Sequence, residues 1–517
     1  MNFFELLKKV FNLLSQRERT KSIFLILFVL VGVILESIGV VMILPITSLF
    51  IGSEIPTEFK FFENFLEDIK LTENLLIVGM VVVVTVYIIK NLYLLLLHYY
   101  QIKFTQKISL RLSNNLFQKY INSQYSFYLN SNTSILIRNL QEAGSFESIY
   151  RRIISLVTEL IVTLTFLIIF LIIDFKTTIN IFFIFVVAGS LFVLFFKNKI
   201  PLWGQTRFEM TGKYLKTINQ GLNGIKEIIF SNGQNLFIRK ANKIRKKFLN
   251  TLLKIAVVDF IPRVLIEVLI IVSVVITVLN LSLAGESYEY IVPLLAIYVA
   301  AAFRLAPACN KIINHVQSLK FTHATIANLH EQLNLLENEQ FINNYGETKK
   351  TEFNKNIVFN NVSFSFKDRS QIYSNLNVKF YKNKIYGLKG NSGSGKSTFI
   401  NLLTGLLKPS SGDILVDGNS INQNVHSWQN NIAYVPQDLF LLDDTILNNV
   451  AFGKNIEDIN KDLAQKVLNQ VGLKKFLDGS KDGINTLVGE KGVKISGGQK
   501  QRIGLARALY KCPKILV

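Results

Sequence analysis

Gly390-Asn391-Ser392-Gly393-Ser394-Gly395-Lys396-Ser397 decides the reading of the C-terminal third of this chain. The spacing of a glycine, four residues and Gly-Lys-Ser is that of a phosphate-binding loop. Glycines let successive backbone N–H groups turn inward around phosphate oxygens, and the N-terminus of a following helix adds its positive end. The flanks suit this: Lys384–Lys389 reads as a strand and Thr398–Leu407 as a helix. Lys396 is then placed to reach the outer phosphates, and the Ser397 hydroxyl to coordinate Mg²⁺. On its own the loop predicts a nucleoside triphosphate-binding α/β domain.

A second phosphate-sized feature follows at Ile495-Ser496-Gly497-Gly498-Gln499. A serine and two glycines ahead of a helix make another nest of N–H donors; a glycine-rich turn is the other reading. Two such surfaces in one domain make sense if ATP is held between two copies of it. The run resembles the signature sequence of ABC transporters, with Ile495 in place of the usual leucine. Tyr434-Val435-Pro436-Gln437 resembles the family's Q-loop, which implies that Gln437 ligates Mg²⁺ and senses the membrane domain. Phe366 stands where the family stacks an aromatic on adenine, although a core strand phenylalanine fits the position as well. Thr486-Leu487-Val488-Gly489-Glu490-Lys491-Gly492 is similar to an exporter-specific segment that contacts the membrane domain. Taken together, the chain resembles an ABC exporter half-transporter over nearly its whole length. The resemblance implies ATP and Mg²⁺ as cofactors, ATPase activity coupled to transport with Lys396 and Gln437 among the catalytic groups, and a second copy of the chain as partner.

The family continues past the signature helix with an apolar strand ending in Asp-Glu, then a histidine. Here Pro513-Lys514-Ile515-Leu516-Val517 begins that strand. The ATP-binding domain is therefore expected to be incomplete at its C-terminus and the sequence to be a fragment. Read literally, 517 residues would make a membrane nucleotide binder without hydrolysis.

Ahead of this domain the chain is apolar in blocks, and 50% of all residues are hydrophobic. A crossing needs about 20 apolar residues. Six stretches qualify: Ile23–Thr47, Leu75–Tyr99, Ile153–Ile173, Ile179–Phe196, Ile255–Leu281 and Tyr290–Pro307. The formal charge of +21 is unevenly spread, with thirteen Lys/Arg and two acids in Lys197–Lys254 against six acids and two lysines in Gly52–Glu73. That is the positive-inside asymmetry of a membrane protein, and it argues against a nucleic-acid partner. The two cysteines, Cys309 and Cys512, have no metal or redox spacing. The expected fold is a six-helix, all-α transmembrane domain fused to an α/β ABC domain. Residues 1–20 form an amphipathic elbow helix, 21–325 the transmembrane domain, 326–351 a linker and 352–517 the ATP-binding domain. A short acidic amphipathic helix at Phe59–Ile69 is expected outside. The long inside connections, 101–150 and 197–254, are expected to carry the spans into the cytoplasm as helices, with the ATP-binding domain on that side of the cytoplasmic membrane.

Three cations fall inside spans, where charge is costly: Lys90, Arg263 and Arg304. Counting 1.5 Å per residue puts them at a similar depth, which suits an anionic headgroup such as a phosphate or pyrophosphate. Other readings stay open: Glu267, four residues after Arg263, can neutralise it, Glu36 and Glu159 are further possible partners, and Lys90 and Arg304 can line a wet cavity. Asp259-Phe260-Ile261-Pro262-Arg263 and the run from Phe303 to Lys311 resemble the PglK-type lipid-linked oligosaccharide flippases. This implies an anionic, polyprenyl-pyrophosphate glycan as cargo, with peptide, drug and lipid A export as alternatives.

Overall fold

The computed structural model describes residues 3–41, 75–173, 175–283, 288–338, 352–366 and 370–517. The expected outer helix at Phe59–Ile69 lies outside these residues. The chain divides into two compact units, Met1–Ile121 with Ser131–Glu339, and Asn122–Asn130 with Gln340–Val517.

Among the described residues, the first unit is built of helices. Its elements are α1 (Phe3–Asn12), α2 (Gln16–Val41), α3 (Leu75–Ile121), α5 (Thr133–Gly144), α6 (Phe146–Ile173), α7 (Phe175–Phe196), α8 (Lys199–Asn223), α9 (Ile225–Phe230), α10 (Gln234–Leu283), α11 (Tyr288–Phe321) and α12 (His323–Asn338); α4 (Tyr125–Asn130) belongs to the second unit. Over its described residues, each expected span falls on a helix. Three stretches among the described residues are long and apolar enough to cross a membrane: Gln16–Gly39, Ile77–Ile121 and Thr133–Ile169. The helix α3 runs 47 residues and α10 runs 50, roughly 70–75 Å at 1.5 Å per residue, more than twice the hydrocarbon thickness. The long connections expected to extend the spans are thus largely helical.

Polar contacts fix the helices below the spans. The Arg207 guanidinium donates to Glu142 Oε2 (3.0 Å) and to Thr325 Oγ1 (2.8 Å), and the Thr325 hydroxyl donates to the same carboxylate oxygen at 2.7 Å. This triangle ties α5, α8 and α12. Where α8 crosses α11, a Cβ on Gly204 would lie 1.9 Å from the Phe321 carbonyl oxygen, so only glycine permits the approach. The expected linker differs from its reading as far as Asn338, where it is helix α12: Ile326, Leu329 and Leu333 are buried at helical spacing, and that apolar stripe docks it into the bundle.

In the second unit, β1 (Asn356–Ser365), β2 (Gln371–Tyr381), β3 (Ser411–Val416) and β4 (Asn419–Ser420) form an antiparallel sheet in the order β2-β1-β3-β4. Alternate residues of β1, Ile357 and Phe359, point into a core closed by α13 (Lys396–Leu403) and α14 (Val425–Gln429). Phe359 stacks on Phe399 with ring centroids 4.6 Å apart, and the buried Trp428 indole donates to the Leu403 carbonyl at 2.7 Å. A parallel pair, β5 (Ile432–Ala433) and β6 (Ile515–Leu516), lies against this core. A second core joins α15 (Ile446–Val450), α16 (Lys461–Gln470), α17 (Lys474–Asp478) and α18 (Gly497–Tyr510).

One expectation fails locally. Lys384–Lys389 forms no strand; the segment is exposed, and Ile385 is fully so. A strand is made by its neighbours' hydrogen bonds, and among the described strands β5 and β6 pair only with each other.

Candidate nucleotide site

The phosphate loop folds as its glycines require. Gly393 and Gly395 have φ of 82° and 92°, and Gly395 is the N-cap of α13. A Cβ on Gly390 would lie 2.7 Å from Ser394 Oγ. The loop residues 390–394 and Ser397 are exposed while Thr398 is buried, so the loop is open to solvent and its helix is anchored. Lys396 Nζ arches back over the loop and donates to the carbonyls of Gly390 and Asn391, both at 2.8 Å. A lysine held across a glycine-rich loop at a helix N-terminus is an anion receptor. The donor set therefore fits the phosphates of ATP, with the exposed Ser397 hydroxyl the natural Mg²⁺ ligand on this loop.

The signature run is the start of a helix. Ser496 caps α18: its hydroxyl accepts from the Gln499 N–H at 3.3 Å, and the Gln499 side chain accepts from the Ser496 N–H at 2.7 Å. This reciprocal capping box fixes the first turn. It occupies the Gln499 side chain and one lone pair of Ser496. Ser496, Gly497 and Gly498 are exposed, and a Cβ on either glycine would meet nothing within 4 Å. The result is an unobstructed helix N-terminus. Ile495 packs its branched side chain on the second core, beside Gly492 and Leu441, so it meets the apolar requirement usually filled by leucine. In the preceding segment Val488 is buried, whereas Leu487 and Val493 are half or more exposed.

Gln437 is exposed in a bend beyond β5. Phe366 directly follows β1, half-buried against the first core and edge-on to Phe364 at 5.0 Å. It keeps both roles open, since one face packs and the residue stays accessible.

Of the three cations expected inside spans, Lys90 on α3 is buried, its Nζ 4.1 Å from the centre of the Tyr87 ring and its stem against Gly39 of α2. Arg263 is exposed on α10 and donates to Glu267 Oε1 at 3.1 Å, the neutralisation anticipated as an alternative. Arg304 lies on α11, but its side chain is outside those described. Glu159 pairs instead with Lys311 at 2.7 Å, four residues past the expected end of span six.

Several contacts were missed by sequence reasoning. Tyr373 donates to the Gly395 carbonyl at 3.1 Å. Arg507 on α18 donates to the carbonyls of Asn449 (2.7 Å) and Phe440 (2.9 Å). A polar layer in the first unit gathers Arg152, Glu159, Asp259, Lys311 and His315. Only the last left a sequence signal: ionisable residues set in apolar runs.

Residues 373–517 match the ABC transporter family. A multidrug resistance ABC transporter ATP-binding and permease protein of Lactococcus lactis is 29% identical over 330 residues, 63% of this chain and 54% of that protein. An ATP-dependent lipid A-core flippase of Idiomarina loihiensis is 41% identical over 163 residues, 31% of this chain and 28% of that one. The chain thus spans about half or less of the length of these relatives. A bacterial Atm1-family ABC exporter, solved with ATP bound, superposes with a TM-score of 0.73 at 18% identity, covering 96% of this chain and 85% of that one. The fold is that of an ABC exporter, a helical transmembrane region joined to an ABC nucleotide-binding domain.

Proposed function

We propose that this chain, on its ABC-exporter fold, is one half of a homodimeric ATP-driven exporter or flippase of the cytoplasmic membrane, with its ATP-binding domain in the cytoplasm. The observation that carries the reading is the pairing, within one domain, of a lysine-bearing phosphate loop at α13 and an open, glycine-lined helix N-terminus at α18. One nucleotide needs one of each, so two identical copies supply two complete sites. Lys396, Ser397 and Gln437 of one copy then face Ser496 and Gly498 of the other. Mg²⁺, when bound, would neutralise charge on the outer phosphates, with Ser397 and Gln437 as its protein ligands. Closing the two domains on ATP drives the long helices α3, α8 and α10, and the cavity between spans changes the side to which it opens.

The cargo we infer is an anionic lipid-linked substrate, lipid-linked oligosaccharide or similar, received at Lys90, Arg263 and Arg304. Support comes from cations retained at membrane depth, the flippase-like runs around Arg263 and Arg304, and a relative named as a lipid A-core flippase. A second reading, drug export, is favoured by the Arg263–Glu267 pair, which removes one net charge from the layer.

The test is reconstitution of the intact transporter in liposomes, with ATP turnover measured against added lipid-linked oligosaccharide. The lipid should raise turnover, and Arg263→Ala and Arg304→Ala should lose the increase. Stimulation by a drug or by lipid A alone would overturn the cargo assignment, and a monomer mass in detergent with MgATP would overturn the homodimer.

A further inference from the structure

The two ends of the proposed nucleotide site lie on different elements. Phe366 follows β1 in the β1–β2 hairpin, and the phosphate loop precedes α13. One side chain joins them. Tyr373 of β2 stands opposite Phe364 in the antiparallel register, with its ring edge-on to Phe399 of α13 at 6.4 Å. Its phenol donates to the Gly395 carbonyl at 3.1 Å. That oxygen already accepts the first bond of the helix, from the Phe399 N–H at 2.9 Å, so the phenol takes its second lone pair. Burial pushes the phenol pKa up, which keeps the proton on it at neutral pH.

The peptide plane explains what the phenol adds. In a trans peptide, the C=O of Gly395 and the N–H of Lys396 point in opposite directions. The helix bond from the Phe399 N–H already holds that plane, with the Lys396 N–H turned away from the carbonyl. The phenol therefore adds the tie to β2, and loss of its hydroxyl changes the spacing between β2 and the loop, not the aim of the N–H. The contact leaves no slack: a Cβ on Gly395 would lie 3.0 Å from the Tyr373 oxygen and 2.8 Å from Ile372 Cγ2.

We propose that Tyr373 is a positioning residue for the nucleotide: without touching it, Tyr373 sets the spacing between the hairpin that carries Phe366 and the loop that holds the phosphates. This rests on the reading of Phe366 and the loop as the two ends of one ATP site. A ligand gripped at both ends should feel the loss of that spacing, and one gripped only at the phosphates should not.

The experiment uses the purified full chain and its Tyr373→Phe variant, which keeps the ring packing and removes only the hydroxyl. Binding of MgATP, MgADP and Mg-tripolyphosphate is measured by competition with a fluorescent ATP analogue, and thermal unfolding is recorded alongside. A single hydrogen bond of net worth about 0.5–1.5 kcal/mol corresponds to a Kd rise of about two- to twelvefold. That rise is expected for MgATP and MgADP, with tripolyphosphate unchanged within about twofold and the melting temperature preserved. A double-mutant cycle with Phe366→Ala should show that the two losses are not additive. Unchanged nucleotide affinity in the Phe variant, or equal weakening of all three ligands with a lowered melting temperature, would overturn the proposal. Absence of nucleotide binding by the wild-type chain would instead overturn the site reading beneath it.

Discussion

Arg507 Nε lies 2.7 Å from the carbonyl oxygen of Asn449, and its Nη2 donates to that residue's side-chain oxygen at 3.1 Å. Asn449 is fully buried; its amide nitrogen donates to the carbonyls of Leu442 and Thr445, and its oxygen accepts the Leu442 N–H. Arg507 Nη1 reaches the Phe440 carbonyl at 2.9 Å, and its guanidinium stands over the Phe452 ring at 4.7 Å. Close by, a Cβ on Gly504 would come within 2.7 Å of Leu439. Residues 439–442, directly after Gln437, are therefore clamped to the helix that the signature run begins. A displacement at Gln437 has a rigid route to α18.

Replacing Arg507 with lysine keeps the charge and loses the planar fork that serves three acceptors. Arg507→Lys is expected to destabilise the domain by about 1–3 kcal/mol, read as a lowered unfolding midpoint in denaturant. A midpoint equal to wild type would show that the clamp contributes nothing.

Lys396 faces a different demand, because its Nζ is held only by two loop carbonyls. Lys396→Ala should leave the melting temperature nearly unchanged while raising the Kd for MgATP at least tenfold, given about 1.5–3 kcal/mol for each hydrogen bond to a charged group. Isothermal titration on the purified chain checks both statements. Retained affinity would remove the lysine from the phosphate site.

How far the sequence anticipates these features follows from the range of the interactions. Loop, signature and capping box are local: Ser496 and Gln499 are three residues apart, and their reciprocal bonds need only a helix to form. Three stretches among the described residues declare themselves as candidate spans through length and hydropathy alone. Tyr373 and Gly395 are 22 residues apart, Asn449 and Arg507 58, and Glu159 and Lys311 152. Such pairs are created by tertiary packing and carry no periodic signal. The Lys384–Lys389 segment shows the converse limit. Ile385, Tyr386 and Leu388 give it an apolar centre that reads as a strand, but a strand exists only where a neighbour supplies hydrogen bonds. The α12 stripe was legible in its spacing and was masked by the polar residues between its apolar positions.

At the N-terminal end, Arg111 grips Glu18 through two bonds, Nε to Oε1 at 2.8 Å and Nη2 to Oε2 at 2.7 Å, and also donates to the Leu13 carbonyl at 2.8 Å. Ser15 N–H donates to the same carboxylate at 2.8 Å. The turn between α1 and α2 is thus fastened to α3. Arg111→Ala should increase protease cleavage and hydrogen exchange around Leu13–Gln16, with exchange deep in α3 unchanged. Protection equal to wild type at Leu13–Gln16 would show that apolar burial of Leu6 and Val10 alone seats the elbow.

His315 offers a pH test within the polar layer. Burial and the nearby positive charges of Arg152 and Lys311 lower its pKa from 6.5 to about 4, and its Nδ1 has no hydrogen-bond partner. Two carboxylates lie nearby, Glu159, paired with Lys311 through Oε1, and Asp259, whose Oδ1 is buried without a hydrogen-bond partner, and neither bonds the imidazole Nδ1. The sign follows from proton counting. Between pH 6.5 and about 4 the unfolded chain binds a proton that the folded chain refuses, so stability falls as pH drops through that window and is fully present above it. His315→Gln keeps a neutral polar group of similar length and removes the titration. Its melting temperature in detergent should match that of wild type near pH 7.5 and exceed it at pH 5. Parallel melting curves for the two proteins across this range would show that His315 is not held neutral by its surroundings.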